Sequence, residues 1–167
     1  HIPQKAMMAK ASSSDGSPVS FLSVLLYRAL HQLDHNITKP IVAHVQHQYR
    51  AALQVPMSHH SLVNYIPVVF HPRLSKGGVE KQNTVVRGQV ILKGTKEADI
   101  MALNRLIEAF PNDAPFTAKR EAMARYAKKS IQGKTFGISY VGKMDWCGLE
   151  RYVKDLHAYI GERHTKN

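Results

Sequence analysis

Apolar residues recur three and four positions apart from Phe21 to Leu33, at Phe21, Leu22, Leu25, Leu26, Ala29, Leu30 and Leu33. That spacing places them on one broad helical face. Ser17 followed by Pro18 supplies a start signal, a capping hydroxyl and then a ring where no N–H is needed. The pattern predicts a well-buried helix from there to about Leu33. Upstream, residues 11–17 (Ala-Ser-Ser-Ser-Asp-Gly-Ser) read as a polar loop. The chain begins at His1, and Ile2-Pro3 reads as the middle of a segment, so a piece of a longer protein is expected.

Asn36 to Pro40 is a turn, and Ile41 to His47 reads as a strand. A loop over 51–60 contains Pro56. Leu62 to Phe70 is rich in β-branched and aromatic residues and reads as a second strand. Pro67 has no N–H for a ladder, which places it at an edge, an end or a bulge. Residues 71–83, with Pro72, Gly77 and Gly78, read as a loop. Thr84 to Leu92 has the composition of a strand, while Val85, Gly88, Gln89 and Leu92 also allow a helix. Ala98 to Phe110 is an amphipathic helix with Ile100, Leu103, Leu106, Ile107 and Phe110 on one side, stopped by Pro111. Thr117 is placed to cap a further helix to about Ser130, with Ala122, Met123, Tyr126 and Ala127 opposite a basic face. Thr135 to Val141 reads as a strand. Leu149 to Ile160 reads as a helix, with Gly161 where a C′ glycine belongs. The order implies one α/β domain, a mixed sheet covered by helices.

The 167 residues are 44% apolar, enough for a core. Their net charge of +11 draws phosphates, whether in nucleic acid, anionic lipid or CoA. The excess is concentrated at 119–134, where Lys119, Arg120, Arg125, Lys128, Lys129 and Lys134 face a lone Glu121. Of these, Lys119, Arg120, Arg125, Lys128 and Lys129 are candidate anion ligands, although charge on an amphipathic helix is usually a solvated face. Only Tyr126 interleaves with them, which argues against a single-strand stacking platform, and no zinc-finger, RNP-like or GXXG signature occurs.

One cysteine, Cys147, excludes an internal disulfide. This fits a reducing compartment, and a cytoplasmic location is expected. The longest apolar stretch, around Phe21 to Leu26, is too short to span a bilayer, and no targeting segment is visible. Ten histidines invite a metal hypothesis. His44 and His47, three apart on a strand, point to opposite faces. His31 and His35 would share a face only if the helix continued past Leu33. No cysteine or carboxylate completes a tetrahedral set, so structural or surface histidines are expected. No Gly-x-Ser-x-Gly motif appears.

The segment Ser20-Phe21-Leu22-Ser23-Val24-Leu25-Leu26 resembles the helix that opens the C-terminal half of condensation domains. Lys39-Pro40-Ile41-Val42-Ala43 resembles the strand in which those domains carry an IVIGTPVAGR type of segment, with Arg50 near its closing arginine. Leu62-Val63-Asn64-Tyr65-Ile66-Pro67-Val68 is similar to their GFFVNTLPLR segment, with Asn64 on the Asn and Pro67 on the Pro. Phe136 to Gly142 resembles a late strand of the alcohol acetyltransferase-like branch. The resemblance covers about two thirds of the chain, through short motifs.

That resemblance implies a half-domain of the chloramphenicol acetyltransferase type, and a helix over 84–92. It implies CoA or a carrier-protein thioester as substrate of a longer protein, with no tightly bound cofactor. The family's base is the histidine of an HHxxxDG motif in the other half. Here His59-His60 is followed by Ser61-Leu62-Val63-Asn64, and His31 has Asp34 three residues on, so the motif is absent. Asp145-Trp146-Cys147-Gly148 only faintly echoes the DFGWG motif. The expected role is therefore one wall of an acyl-transfer tunnel, with no catalytic residue of its own. Asn64 and Arg50 are the wall candidates, with Tyr140 and Asp145 behind them. The rival readings are a basic module for nucleic acid or another anionic partner, and a non-catalytic assembly domain that exposes an apolar face and forms homo-oligomers.

Overall fold

Ser17 does what its place before Pro18 predicts. Its hydroxyl accepts from the Ser20 N–H at 3.1 Å, and the Ser20 hydroxyl accepts from the Ser17 N–H at 2.7 Å. This reciprocal box starts helix α2, Pro18–Leu33. The structure, a computed structural model, describes residues 3–59, 62–110, 113–131, 133–140 and 152. An earlier helix, α1, spans Gln4–Ser13, so the serine run expected to be loop is partly helical. The hydroxyls of Ser13 and Ser14 fold back onto the Lys10 carbonyl instead of breaking the helix. Met7 and Ala11, one turn apart, seat α1 against Phe21.

The buried face of α2 differs from the expected stripe. Ser20, Phe21, Ser23, Val24 and Tyr27 are buried, whereas Leu26 and Leu33 are exposed. The helix is gripped from two sides, Val24 and Tyr27 against the sheet and Phe21 against α1. Two contacts in different directions rotate the buried surface away from a single leucine stripe.

Among the described residues the sheet has three strands, in the order β2-β1-β3. Strand β1 (Ile41–Gln48) pairs antiparallel with β2 (Val63–Phe70), from Ile41 opposite Phe70 to Gln48 opposite Val63. Strand β3, Phe136–Ile138, pairs in parallel with β1, Ala43 opposite Phe136 and Val45 opposite Ile138. It is shorter than the expected Thr135 to Val141. Thr135 extends the pairing by donating its N–H to Val42 O at 2.8 Å, while its hydroxyl accepts from Val42 N–H at 3.2 Å. Val141, the expected helix Leu149 to Ile160 and Gly161 lie outside the described residues. Ile41, Ala43 and Val45 meet Ile66, Val68 and Phe70 on one sheet face, under Val24 and Tyr27. The mixed α/β class is as expected.

Helix α3, Val79–Lys93, confirms the helical alternative for 84–92 and begins earlier. The stretch expected to be loop over 71–83 is a tight turn, Pro72–Lys76, leading into α3. Its polar residues mislead because they are interior partners. Gln82 is fully buried, donates to Leu74 O at 2.8 Å and accepts from Arg28 at 3.1 Å. Asn83, also fully buried, donates to Ser14 O at 3.0 Å.

Pro67 sits on an edge strand, as its missing N–H requires. Helix α3 covers the Pro67–Val69 part of that edge. The Gln89 side-chain oxygen accepts from Val69 N–H at 2.9 Å and its NH2 donates to Val69 O at 3.0 Å, as a neighbouring strand would. Lys93 donates to the Pro67 carbonyl. With the polar groups of Val69 and the Pro67 carbonyl occupied, this part of the edge is a poor template for another chain.

Helix α4 spans Lys96–Ala109 and α5 spans Phe116–Ile131, so Thr117 lies inside α5 rather than capping it. Their expected core faces are only partly used. Leu103, Leu106 and Phe110 are half-buried, while Ile100, Ile107, Met123 and Tyr126 are exposed. Among the described residues no helix is long and apolar enough to cross a membrane.

Candidate functional site

The end of β1 brings up His47 and, one step beyond the strand, Tyr49. Strand β2 sets Asn64 directly opposite His47. The third contributor is α4, aimed by a tight elbow at Gly94. A Cβ there would lie 2.9 Å from Val90 O, 3.2 Å from Ile66 Cδ1 and 3.6 Å from His47 Cε1, so only glycine permits the approach. The Thr95 hydroxyl then accepts from Ala98 N–H at 3.2 Å and starts α4. Asp99 follows one turn in, where the helix N-terminus favours a carboxylate.

The Asp99 carboxylate lies 2.9 Å from His47 Nε2 and is 5% exposed. It accepts the Nε2 proton whenever that nitrogen carries one, which fixes the ring. Beside it Tyr49 is buried, and its N–H donates to Leu62 O at 2.9 Å. Burial, then the Asp99 charge, then Tyr126 push its phenol up to about 12. The phenol is a lasting hydrogen-bond donor at neutral pH.

Tyr49 and Asn64 open onto a cleft of about 230 Å³, with His44, Tyr65, Leu106 and Tyr126 among its other walls. His44 stacks on Tyr65, ring centres 6.0 Å apart. Burial, helped by the Lys134 charge, holds its imidazole below the ordinary histidine range, so it is neutral at pH 7. Tyr126 meets Phe110 edge to face at 5.8 Å. The cleft thus presents a carboxamide, three tyrosine side chains and a neutral imidazole beside the apolar Val63, Ala102 and Leu106. Such groups orient a carbonyl or hydroxyl by hydrogen bonds and leave no net charge to satisfy.

The wall candidates from the sequence separate here. Asn64 lines the cleft. Arg50 does not, since its Nε donates to Ser58 O at 3.3 Å and its Nη1 to Gln48 Oε1 at 2.7 Å, holding the 51–58 loop. Tyr140 packs with the Met7, Ala11 and Phe21 cluster, its hydroxyl 3.8 Å from Met8 Sδ, and is not brought to Asn64. Asp145 and Cys147 lie outside the described residues. Of the basic candidates, Lys119 and Arg120 border an open groove on α5 with Phe116, Met123 and Ala127. Arg125 reaches Glu121 at 3.9 Å, Lys128 is exposed, and Lys129 lies on α5.

The sequence reading missed the His47–Asp99 pair, Tyr49 and Tyr126. The alternation of His44 and His47 holds, His47 lying across from Asn64 and His44 beside Tyr65, and each finds its own partner. Strand periodicity carried that signal, but nothing local links Asp99 to His47 across 52 positions. Among the described residues no group of three metal-type ligands occurs. Comparisons with protein-family models, curated proteins and solved structures found no match.

The Tyr49 environment has a measurable consequence. Its folded pKa lies above the ordinary 10.0 of an unfolded tyrosine, so its contribution is complete below pH 10 and is lost as pH rises through about 12. Alkaline titration of tyrosinate absorbance is expected to show a late phase near pH 12 that Tyr49→Phe removes. An unchanged late phase in that variant would assign it to another tyrosine.

Proposed function

We propose that this chain is the C-terminal subdomain of a condensation-like, CoA- or carrier-dependent acyltransferase, and that its cleft is part of one wall of the acyl-transfer tunnel. The observation that supports it most is the pairing of β1 with β2. The two segments that carry the resemblance, Lys39 to Ala43 and Leu62 to Val68, fall on these neighbouring antiparallel strands, and their pairing places Asn64 on the cleft. In the proposed reaction an acceptor hydroxyl or amine attacks a thioester carbonyl. A new ester or amide bond forms, the C–S bond breaks, and the proton passes through a base to the leaving thiolate. That base is the HHxxxD histidine of the other half. Asn64 and the Tyr49 phenol orient the reacting groups. Exposed Ile100, Met101, Ile107, Phe116 and Met123 supply apolar surface on which the other half would pack.

The test uses the full-length gene product and a panel of acyl-CoA and carrier-bound thioesters. Asn64→Ala is expected to lower kcat/KM at least tenfold, about 1.4 kcal/mol, without changing the melting temperature. Absence of an HHxxxD motif upstream, or turnover indifferent to Asn64→Ala, overturns the proposal.

A second reading is favoured by α5, which exposes Arg120, Arg125 and Lys128. On that reading the chain binds nucleic acid or another polyanion through this helix. Retention on heparin that falls steeply with salt would support it, and no retention at low salt would remove it.

A further inference from the structure

At the other end of β2 from the Asn64 cleft lies a second cavity, of about 510 Å³, between the strand end, the Pro72–Lys76 turn and α3. Its floor is apolar: Val69, Leu74 and Val85. Its polar back wall, Gln89, is already committed, both amide atoms being bonded to Val69. Its rim is His71, Arg73 and Lys81, and among the described residues no carboxylate lines it.

The state of these cations is what singles the cavity out. Arg28 is bonded to Gly77 O and Gln82, Arg87 is paired with Asp15 at 2.7 Å, and Lys93 is bonded to Pro67 O. Arg73 and Lys81 have no hydrogen bond or ion pair among the described residues, yet both border the same apolar hollow. Two uncommitted cations above apolar walls match an anionic head on an apolar body. An arginine fork fits a carboxylate through two parallel N–H···O bonds, and lysine adds a point charge. The volume lies within the range of small-molecule sites.

We infer that this cavity binds a medium-chain organic carboxylate, its head between Arg73 and Lys81 and its chain along Val69, Leu74 and Val85. The site stands apart from the acyl-transfer reading, because none of its residues lines the Asn64 cleft.

The probe is decanoate, titrated calorimetrically into the purified chain at pH 7 and low salt, with decanol and inorganic phosphate as controls. Saturable binding of one decanoate is expected, at least tenfold tighter than decanol or phosphate. Arg73→Met should weaken it about tenfold and Arg73→Met with Lys81→Met should abolish it. Val85→Trp, which fills the hollow from a position 38% exposed, should abolish it as well. Arg73, Lys81 and Val85 are exposed, so unchanged circular dichroism and melting are expected for every variant. The inference is overturned by no decanoate binding at millimolar concentration, by decanol binding equally well, by phosphate binding equally well, or by affinity indifferent to Arg73→Met and Val85→Trp.

Discussion

Phe70→Ala is expected to remove about 4 kcal/mol of unfolding free energy, read from urea denaturation at pH 7. Phe70 is fully buried at the end of β2. Its ring stacks on Tyr27 at 4.5 Å and meets Phe136 at 6.5 Å. One side chain therefore joins α2, β2 and β3. Truncation loses the transfer free energy of the ring and leaves a hollow bounded by two other rings that cannot both move in. A domain of this size holds only about 5–15 kcal/mol in total, so the variant should approach the unfolding threshold. Phe70→Leu keeps much of the volume and should cost less than half as much. A loss below about 1 kcal/mol for Phe70→Ala would mean that this cluster is not the centre of the core.

The second large effect is expected at the His47–Asp99 pair. Removing His47 leaves the Asp99 carboxylate buried without its partner. Breaking a fully buried pair costs about 3–5 kcal/mol, and the His47 side chain, 28% exposed, lets solvent offset part of this. His47→Ala should therefore cost about 2 kcal/mol. Asp99→Asn retains a hydrogen-bonding group without the charge and should cost about 1 kcal/mol. A double-mutant cycle between His47→Ala and Asp99→Ala should give a coupling of at least about 1 kcal/mol. Additive losses would show that the two side chains stabilise their surroundings independently.

What could be read in the sequence was whatever depends on neighbours in the chain. The Ser17-Pro18 start and the strands at Ile41 and Leu62 are local signals that hold, and of the edge, end or bulge open to Pro67 the structure takes the edge. The serine run after Lys10 and the polar start of α3 misled for one physical reason. Composition does not reveal whether a polar group meets water or an interior partner. Gln82, the Asn83 NH2 and the Ser14 carbonyl find hydrogen-bond partners inside the fold, so their polarity is no sign of a loop. The site divides along the same line. Asn64 was found through a short motif and lies on the cleft. Arg50 came from the same kind of motif and serves a loop instead. Asp99 and Tyr126 reach the β1 end only through the Gly94 elbow and the course of two later helices, which no spacing encodes.

The parallel strand β3 gives the sheet an uneven order of assembly. Helix α2, β1, β2 and α3 are successive in the chain, and the longest connection among them, residues 49–62, is far shorter than the span from β1 to β3. Strand β3 is separated from β1 by 93 positions at their pairing, and among the described residues three register pairs and the Thr135–Val42 hydrogen bonds join them. Closing so long a loop costs entropy before any contact is returned. The antiparallel pair and its two helices are therefore expected to form first, and β3 to dock last and detach first. Phe136, leaning on Phe70, is the latch of that final step.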